Sequence, residues 1–424
     1  MTDKLIALLK ASGVHAWEVT DTETLGWEFY FIRHRLDQNR MKNVRHVNLT
    51  VYETADGGKT LGSATAEVPL DADDAGMQTL IRDLSYRASL VKNAYYTLNP
   101  ASTAKAPDTK LDLKAIAKKF IETMTSLPET ETEDLNSYEI FVSEVRRRFC
   151  SSTGTDVSFV YPSSMVEVVV NARRDGHEIE LYRMLTSGDC DEKTLRETLE
   201  KAMTQGRDRL VAVPTPNFGK IPVVFSGDDA EELYSYFAAR LSPAMLFRRF
   251  SDYEIGKPIA EELLGDKLTV RTVENLPGSS KNFAYDNEGA KVRDVVLMDA
   301  GVPKFFTGNR MFSCLMGLEG TFNPTNMIFE GGTKTEEELR SGEYLEVVEF
   351  SDFQVDPIAG DVFGELRLGY YHDGRGNVTP VTGGSVSGDM GEYLKRMTFT
   401  KETTRSDNVV YPKLTRLEDV TFAG

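Results

Sequence analysis

Through its first two hundred residues the chain sets apolar and polar positions in alternation, and between those runs apolar residues recur at three- and four-residue spacing. These are the periods of strand and helix. Residues 1–12 place Leu5, Leu8 and Leu9 on one short helical face. Strand-like runs follow at 15–19, 27–33, 44–52 and 61–68, with Asp56-Gly57-Gly58 supplying the positive-φ positions a hairpin turn needs. Asp74 then caps a helix whose apolar positions Met77, Leu80, Ile81, Leu84, Ala88 and Val91 make one buried face. The plan repeats from Asp112, with Ile116, Ala117, Phe120, Ile121 and Met124 on a helical face and strands near 139–145, 157–161, 165–170 and 178–184. Asp175-Gly176 turns the last hairpin, and a helix follows with Leu195, Leu199, Ala202 and Met203 inward.

Two prolines and small polar residues fill 99–112, which is a linker composition, and Pro214 and Pro216 hold the chain extended at a second boundary. Past residue 265, short β-type runs at 268–273, 292–298, 327–329, 345–348, 365–371 and 395–400 alternate with turns such as Asp286-Asn287-Glu288-Gly289 and Asp373-Gly374-Arg375-Gly376. That texture belongs to a large antiparallel sheet or barrel. The expected class is therefore α+β. Two sheet-plus-helix blocks, 1–105 and 110–213, precede a mainly antiparallel, barrel-like domain over 217–424.

Composition leaves this picture intact, since 40% hydrophobic and 27% charged residues are ordinary for a globular chain. Charge narrows the partners: 49 Lys and Arg against 66 Asp and Glu give a formal charge of −17, which repels phosphate backbones and argues against direct nucleic-acid binding. The compact basic run Arg146-Arg147-Arg148 follows an alternating stretch and fits a solvated strand. Cys150, Cys190 and Cys314 are too few and too scattered for a disulfide framework, which fits a reducing compartment. No run approaches ~18 uninterrupted apolar residues, and residues 1–13 lack an apolar leader core, so no membrane association is expected and residence is expected to be cytoplasmic.

Candidate chemistry is sparse. His177-Glu178 falls in an expected strand, where a second ligand four residues on would lie about 13 Å away. His15, His34, His46 and His372 each stand without an acidic or sulfur partner at ligand spacing. Gly-Gly-Ser-Val-Ser-Gly at 383–388 has no lysine and sits between β-type runs, as a connecting loop would.

A longer pattern does emerge in the second half. Asp286, Glu288, Gly289, Leu297 and Gly301 are followed by Pro324-Thr325-Asn326-Met327-Ile328-Phe329, by Gly331 and Gly332, and by Gly360, Asp361 and Phe363. The sequence closes on Pro412, Leu414, Leu417, Val420, Phe422, Ala423 and Gly424. In this order and spacing the stretch resembles the TldD/PmbA family, also labelled modulators of DNA gyrase, whose active members are metalloproteases. The resemblance implies a zinc helix reading His-Glu-x-x-x-His, with two imidazoles on the metal and the Glu as general base for a bound water. Aligned on Val223-Val224-Phe225, Ala230 and Leu233, the motif positions hold Ser235, Tyr236 and Arg240 instead. The family's further ligand, a Cys near the C-terminus, has no match, because Cys314 lies far upstream.

The chain is thus similar to the PmbA/TldE type, which lacks the zinc motif. The resemblance implies no metal cofactor and no catalytic residues, a structural or substrate-binding role, and a heterodimer with a TldD-like catalytic subunit. Two alternatives stand beside it: a stand-alone peptidase with atypical ligands, and a homodimeric peptide-binding module. Aromatic residues gather around the degenerate helix, including Tyr234, Phe237, Phe247 and Phe250. They fit either packing against the β-rich part or a groove for an unfolded peptide lined by Ser235, Tyr236 and Arg240.

Overall fold

The computed structural model describes residues 1–105, 110–227 and 229–424. The first half is built from α1 (Thr2–Ser12), β1 (Ala16–Ile32), β2 (Arg35–Ala55), β3 (Thr60–Glu67), α2 (Asp74–Ser89), α3 (Leu113–Thr125), β4 (Glu133–Ser151), β5 (Asp156–Arg174), β6 (His177–Ser187) and α4 (Glu192–Val211). Aspartates start three of the helices. Asp73, Asp112 and Asp191 accept from Gly76 N, Ala115 N and Thr194 N, each satisfying an amide that the first turn leaves orphaned. Asp175 at φ 50° and Gly176 at φ 79° make the tight β5–β6 turn that the sequence anticipates.

The main strands form one antiparallel sheet in the order β3-β2-β1-β4-β5-β6. Its central pairing, β1 with β4, runs from Glu18↔Ser151 to Ile32↔Ser137. The blocks expected at 1–105 and 110–213 therefore share a sheet, and residues 106–109 of the expected linker lie outside the described residues. All four helices cover the same face. Helices α1 and α2 bury Trp17, Val19, Val47 and Leu49, while α3 and α4 bury Tyr138, Ile140, Val166 and Val168. Each fully buried side chain of this size contributes about 1.5–3 kcal/mol. The opposite face meets the second half through Phe149, Phe159 and Tyr161, packed on Phe283 and Tyr285.

The second half contains β7 (Gly219–Ser226), α5 (Ala230–Arg240), β8 (Glu343–Val355), β9 (Asp361–Asp373), β10 (Ser385–Asp389) and β11 (Leu414–Ala423). Its strands close into a five-stranded barrel, β8-β7-β11-β10-β9, with β9 returning to pair β8. Only β7 and β8 run parallel; the remaining barrel pairs are antiparallel. A smaller sheet carries Val270–Val273, Val295–Asp299, Asn326–Phe329 and Val409–Pro412. Helix α5 fills the space between them, so the expected α+β class with a barrel-like second half is the observed one.

Candidate functional site

Strand β7 leads into α5 through Gly227, whose φ of 92° turns the chain sharply. The helix buries Ala230, Leu233, Tyr234 and Phe237. Tyr234 is fully enclosed: its hydroxyl lies 2.6 Å from Thr415 Oγ1 on β11, and its ring packs on Phe329 at 5.2 Å and Tyr411 at 5.9 Å. Most of the aromatic concentration around this helix is packing. Phe247 and Phe250 are exceptions, 45% and 38% exposed.

The three motif positions do not act together. Residues 235 and 240 are separated by five steps of about 100°, which places them roughly 140° apart around an α-helix. Ser235 accordingly faces solvent, donating to Glu232 O at 2.8 Å, whereas Arg240 is 9% exposed. Of the residues expected to line a peptide groove, Ser235 is thus exposed while Tyr236 and Arg240 are buried. Tyr236 and Arg240, four residues apart, do meet: the guanidinium carbon sits 5.3 Å from the Tyr236 ring centroid and 5.1 Å from that of Tyr253. Arg240 Nη1 donates to Phe250 O and Pro357 O, both at 3.0 Å, and Nη2 donates to Asp252 Oδ1 at 2.6 Å. Burial raises the Tyr236 hydroxyl above the ordinary phenol range, with the Arg240 charge opposing it.

A zinc ion in the manner implied by the motif does not fit these residues. Arg240 presents a permanent cation with no lone pair to give, and its fork is committed to two main-chain carbonyls and a carboxylate. Tyr236, 5% exposed, is stacked edge-on to Phe237 at 5.3 Å. Among the described residues no three His, Cys, Asp or Glu side chains gather at metal-binding distance. Two open clefts of about 470 and 300 Å³ lie elsewhere, one lined by Arg33, Glu129 and Arg173 and the other by Ser351, Glu365 and Arg367.

The basic run at 146–148 is shared out along β4. Arg146 pairs with Glu144, Arg147 lies over the Tyr161 and Phe283 rings, and Arg148 grips Asp156 and Asp3.

A second titratable cluster sits where the sheet meets the second half, and its members were not grouped by the sequence. Asp286 shapes its own hairpin, accepting from Glu288 N and Ala290 N at 2.9 Å and from Asn323 N at 2.7 Å. Glu288 Oε2 accepts from Arg310 N at 2.8 Å and Asn323 Nδ2 at 3.2 Å, and its own carbonyl accepts from Asn99. Across the seam, Tyr52 donates to Glu18 at 2.6 Å. Burial pushes the Glu18 and Glu288 carboxyls up to about 7 each; Glu288 and Asp286 add to the shift of Glu18, as Asp286 does to that of Glu288. Cys314 stays at the rim, its thiol 3.7 Å from Thr97 O. The turn pattern at Asp286–Gly289 was the one available signal; Glu18 looks like any strand glutamate.

Residues 218–424 match the family model of the PmbA/TldA metallopeptidase C-terminal domain. Among solved structures, the fold is similar to TldE from Thermococcus kodakarensis, with a TM-score of 0.78 and 16% identity over 99% of this chain and 100% of that one. It is also similar to a protein of Thermotoga maritima described as a candidate modulator of a DNA gyrase, with a TM-score of 0.77 and 17% identity over 100% of this chain and 99% of that one. A protein of Bacteroides thetaiotaomicron with the same description gives a TM-score of 0.77 and 17% identity over 100% and 98% of the two chains. At such identities the likeness is one of fold. No curated protein sequence matches the chain.

Proposed function

Because the chain belongs to the TldD/PmbA family through its 218–424 domain, we propose that it is a non-catalytic subunit of a TldD/PmbA-type peptide-processing assembly, serving as scaffold for a zinc-bearing TldD-like partner. The observation that carries this reading is Arg240. A side chain that pins α5 to Phe250 O and Pro357 O does structurally, with a fixed charge, what a bound cation would otherwise do by coordination. Tyr236 and Arg240 are packed from all sides, so the role assigned to α5 is rigidity, and Ser235 with Glu232 is the part of the helix that a peptide could touch.

The test is co-purification with a family homologue that carries His-Glu-x-x-x-His. A stable one-to-one complex is expected, with peptidase activity in the complex and none in the isolated chain. Stoichiometric zinc that survives dialysis of the isolated chain, or chelator-sensitive cleavage of an unfolded peptide by it, overturns the proposal. A self-dimer that does not exchange with the homologue replaces it with the homodimeric reading.

A further inference from the structure

At the Asp286–Gly289 hairpin the acidic groups of the seam stand on opposite sides of it. The first half contributes Glu18 from β1, Tyr52 from β2 and the segment after α2 with Tyr96, Thr97 and Asn99. Facing them are Asp286 and Glu288 on the hairpin, and Arg310 and Cys314 on the helix Arg310–Leu315. Tyr52 and Tyr96 meet edge-on at 6.5 Å, and Glu18, Glu288 and Cys314 all bear on Tyr96.

Some ties across this end are indifferent to pH. Asn99 Nδ2 donates to Glu288 O at 3.0 Å, and Arg310 donates through Nε to Thr97 O at 2.8 Å and through Nη2 to Thr97 Oγ1 at 2.9 Å. The carboxyls behave differently. Asp286 takes the amides of Glu288, Ala290 and Asn323, which settle its charge beside Arg310. Glu18 has the Tyr52 hydroxyl at 2.6 Å, and Glu288 has Arg310 N and Asn323 Nδ2, yet burial holds both carboxyls up at about 7.

Charge on the named groups then depends on two protons. With Glu18 and Glu288 neutral, the Asp286 carboxylate and the Arg310 guanidinium balance. With both ionised, Glu18 in one half opposes Asp286 and Glu288 in the other, in a setting where water screens little. Water relieves that repulsion only by entering between the halves. The remaining contacts lie elsewhere: Phe283 on Tyr161 at 4.3 Å, Glu349 with Arg183 and Arg209, and Tyr370 with Asp208. They would keep the halves joined while one end lets go.

We propose that this end of the seam is a proton-operated latch: neutral Glu18 and Glu288 let the hairpin close on the sheet, and loss of both protons opens it locally. The opened end presents the Phe149 ring, on which Gly289 now sits, and loosens the segment after α2. This inference is independent of any peptidase partner.

The test is hydrogen exchange of the full-length chain at about pH 5 and about pH 8.5, corrected for the intrinsic rate at each pH, with and without low urea. Residues 96–101, 147–151, 284–292 and 309–316 should exchange at least about tenfold faster at the higher pH, the effect of one unit of pKa difference. Their urea dependence should be weaker than that of 195–203 and 414–422, as a local opening requires. Glu18→Gln with Glu288→Gln, isosteric and neutral, should remove the step, and each single variant should remove part of it. Asn99→Ala, which deletes a neutral tie, should speed exchange at both pH values and leave the step in place. No step in the unmodified chain, an undiminished step in the double Gln variant, or a step abolished by Asn99→Ala overturns the proposal. So does a urea dependence equal to that of 195–203 and 414–422, which would make the opening global unfolding.

Discussion

Truncating Arg240 to Ala would leave Phe250 O and Pro357 O without their donor and take a cation from between two tyrosine rings. A buried carbonyl left unsatisfied costs about 1–3 kcal/mol, and a desolvated cation–π contact contributes about 0.5–2 kcal/mol. A loss of about 3 kcal/mol is expected for Arg240→Ala, and about half of that for Arg240→Lys, whose ammonium cannot span both carbonyls. The check is the denaturation midpoint; an unchanged midpoint for both variants would remove Arg240 from its structural role. Glu288 makes a prediction of opposite character. Its folded pKa of about 7 lies above the ordinary 4.5, so between those values the folded state holds a proton that the unfolded state has lost. Stability from this group is therefore fully present below about 4.5 and is lost as pH rises through 7, at no more than about 1.4 kcal/mol per pH unit for one proton. Glu18 acts in the same direction, whereas His372, whose pKa is lowered chiefly by burial, weakens the fold as pH falls below about 6.5. Glu288→Gln should flatten the decline between pH 5 and 8 relative to the unmodified chain, as read by urea titrations at each pH; parallel curves would show that the shift is absent.

Among the elements, the Asp286–Gly289 hairpin holds the two halves in register. Gly289 has φ 72°, and a Cβ there would lie 2.6 Å from the Phe149 ring on β4. Gly289→Ala combines a left-handed backbone, about 1–2 kcal/mol for an L-residue, with a clash against a buried ring. Faster hydrogen exchange over 284–292 and over 147–151 is expected; exchange confined to the hairpin would mean that the seam does not depend on it. Helices were the most legible elements, because capping aspartates and three-four periodicity are local: α2, expected to be capped by Asp74, spans Asp74–Ser89 and takes its cap one residue earlier, at Asp73. Strand β1 was legible in pieces. The sequence shows runs at 15–19 and 27–33, yet one strand spans Ala16–Ile32, since Thr20 to Thr24 alternate no apolar residues and are held by neighbours on both sides. Asp21, for instance, is secured by Arg45 at 2.7 Å, a pairing that only the register reveals.

At the scale of the whole molecule, α4 docks on the barrel through Arg209 to Glu349 and Asp208 to Tyr370, and Arg183 of β6 reaches the same Glu349. The second half expressed alone as 217–424 would uncover Phe283 and Tyr285, which the sheet now buries. Binding of a hydrophobic dye and association on concentration are expected; a monodisperse, dye-silent fragment would show that the halves are autonomous. Barrel character was legible from glycine-punctuated runs, and the vacant motif from its own positions. The sharing of one sheet by two blocks was not, because register between β1 and β4 is a property of distant residues, as is the meeting of Glu18 with Glu288. That central pairing carries a kinetic consequence. Trp17 N donates to Ser152 Oγ across 135 positions, so the β1–β2 hairpin must wait for a strand formed far later in the chain before one flank is sealed. Loop closure of that length precedes its reward, and refolding should be slow, with the unsealed hairpin as the species most prone to strand-mediated aggregation on the way.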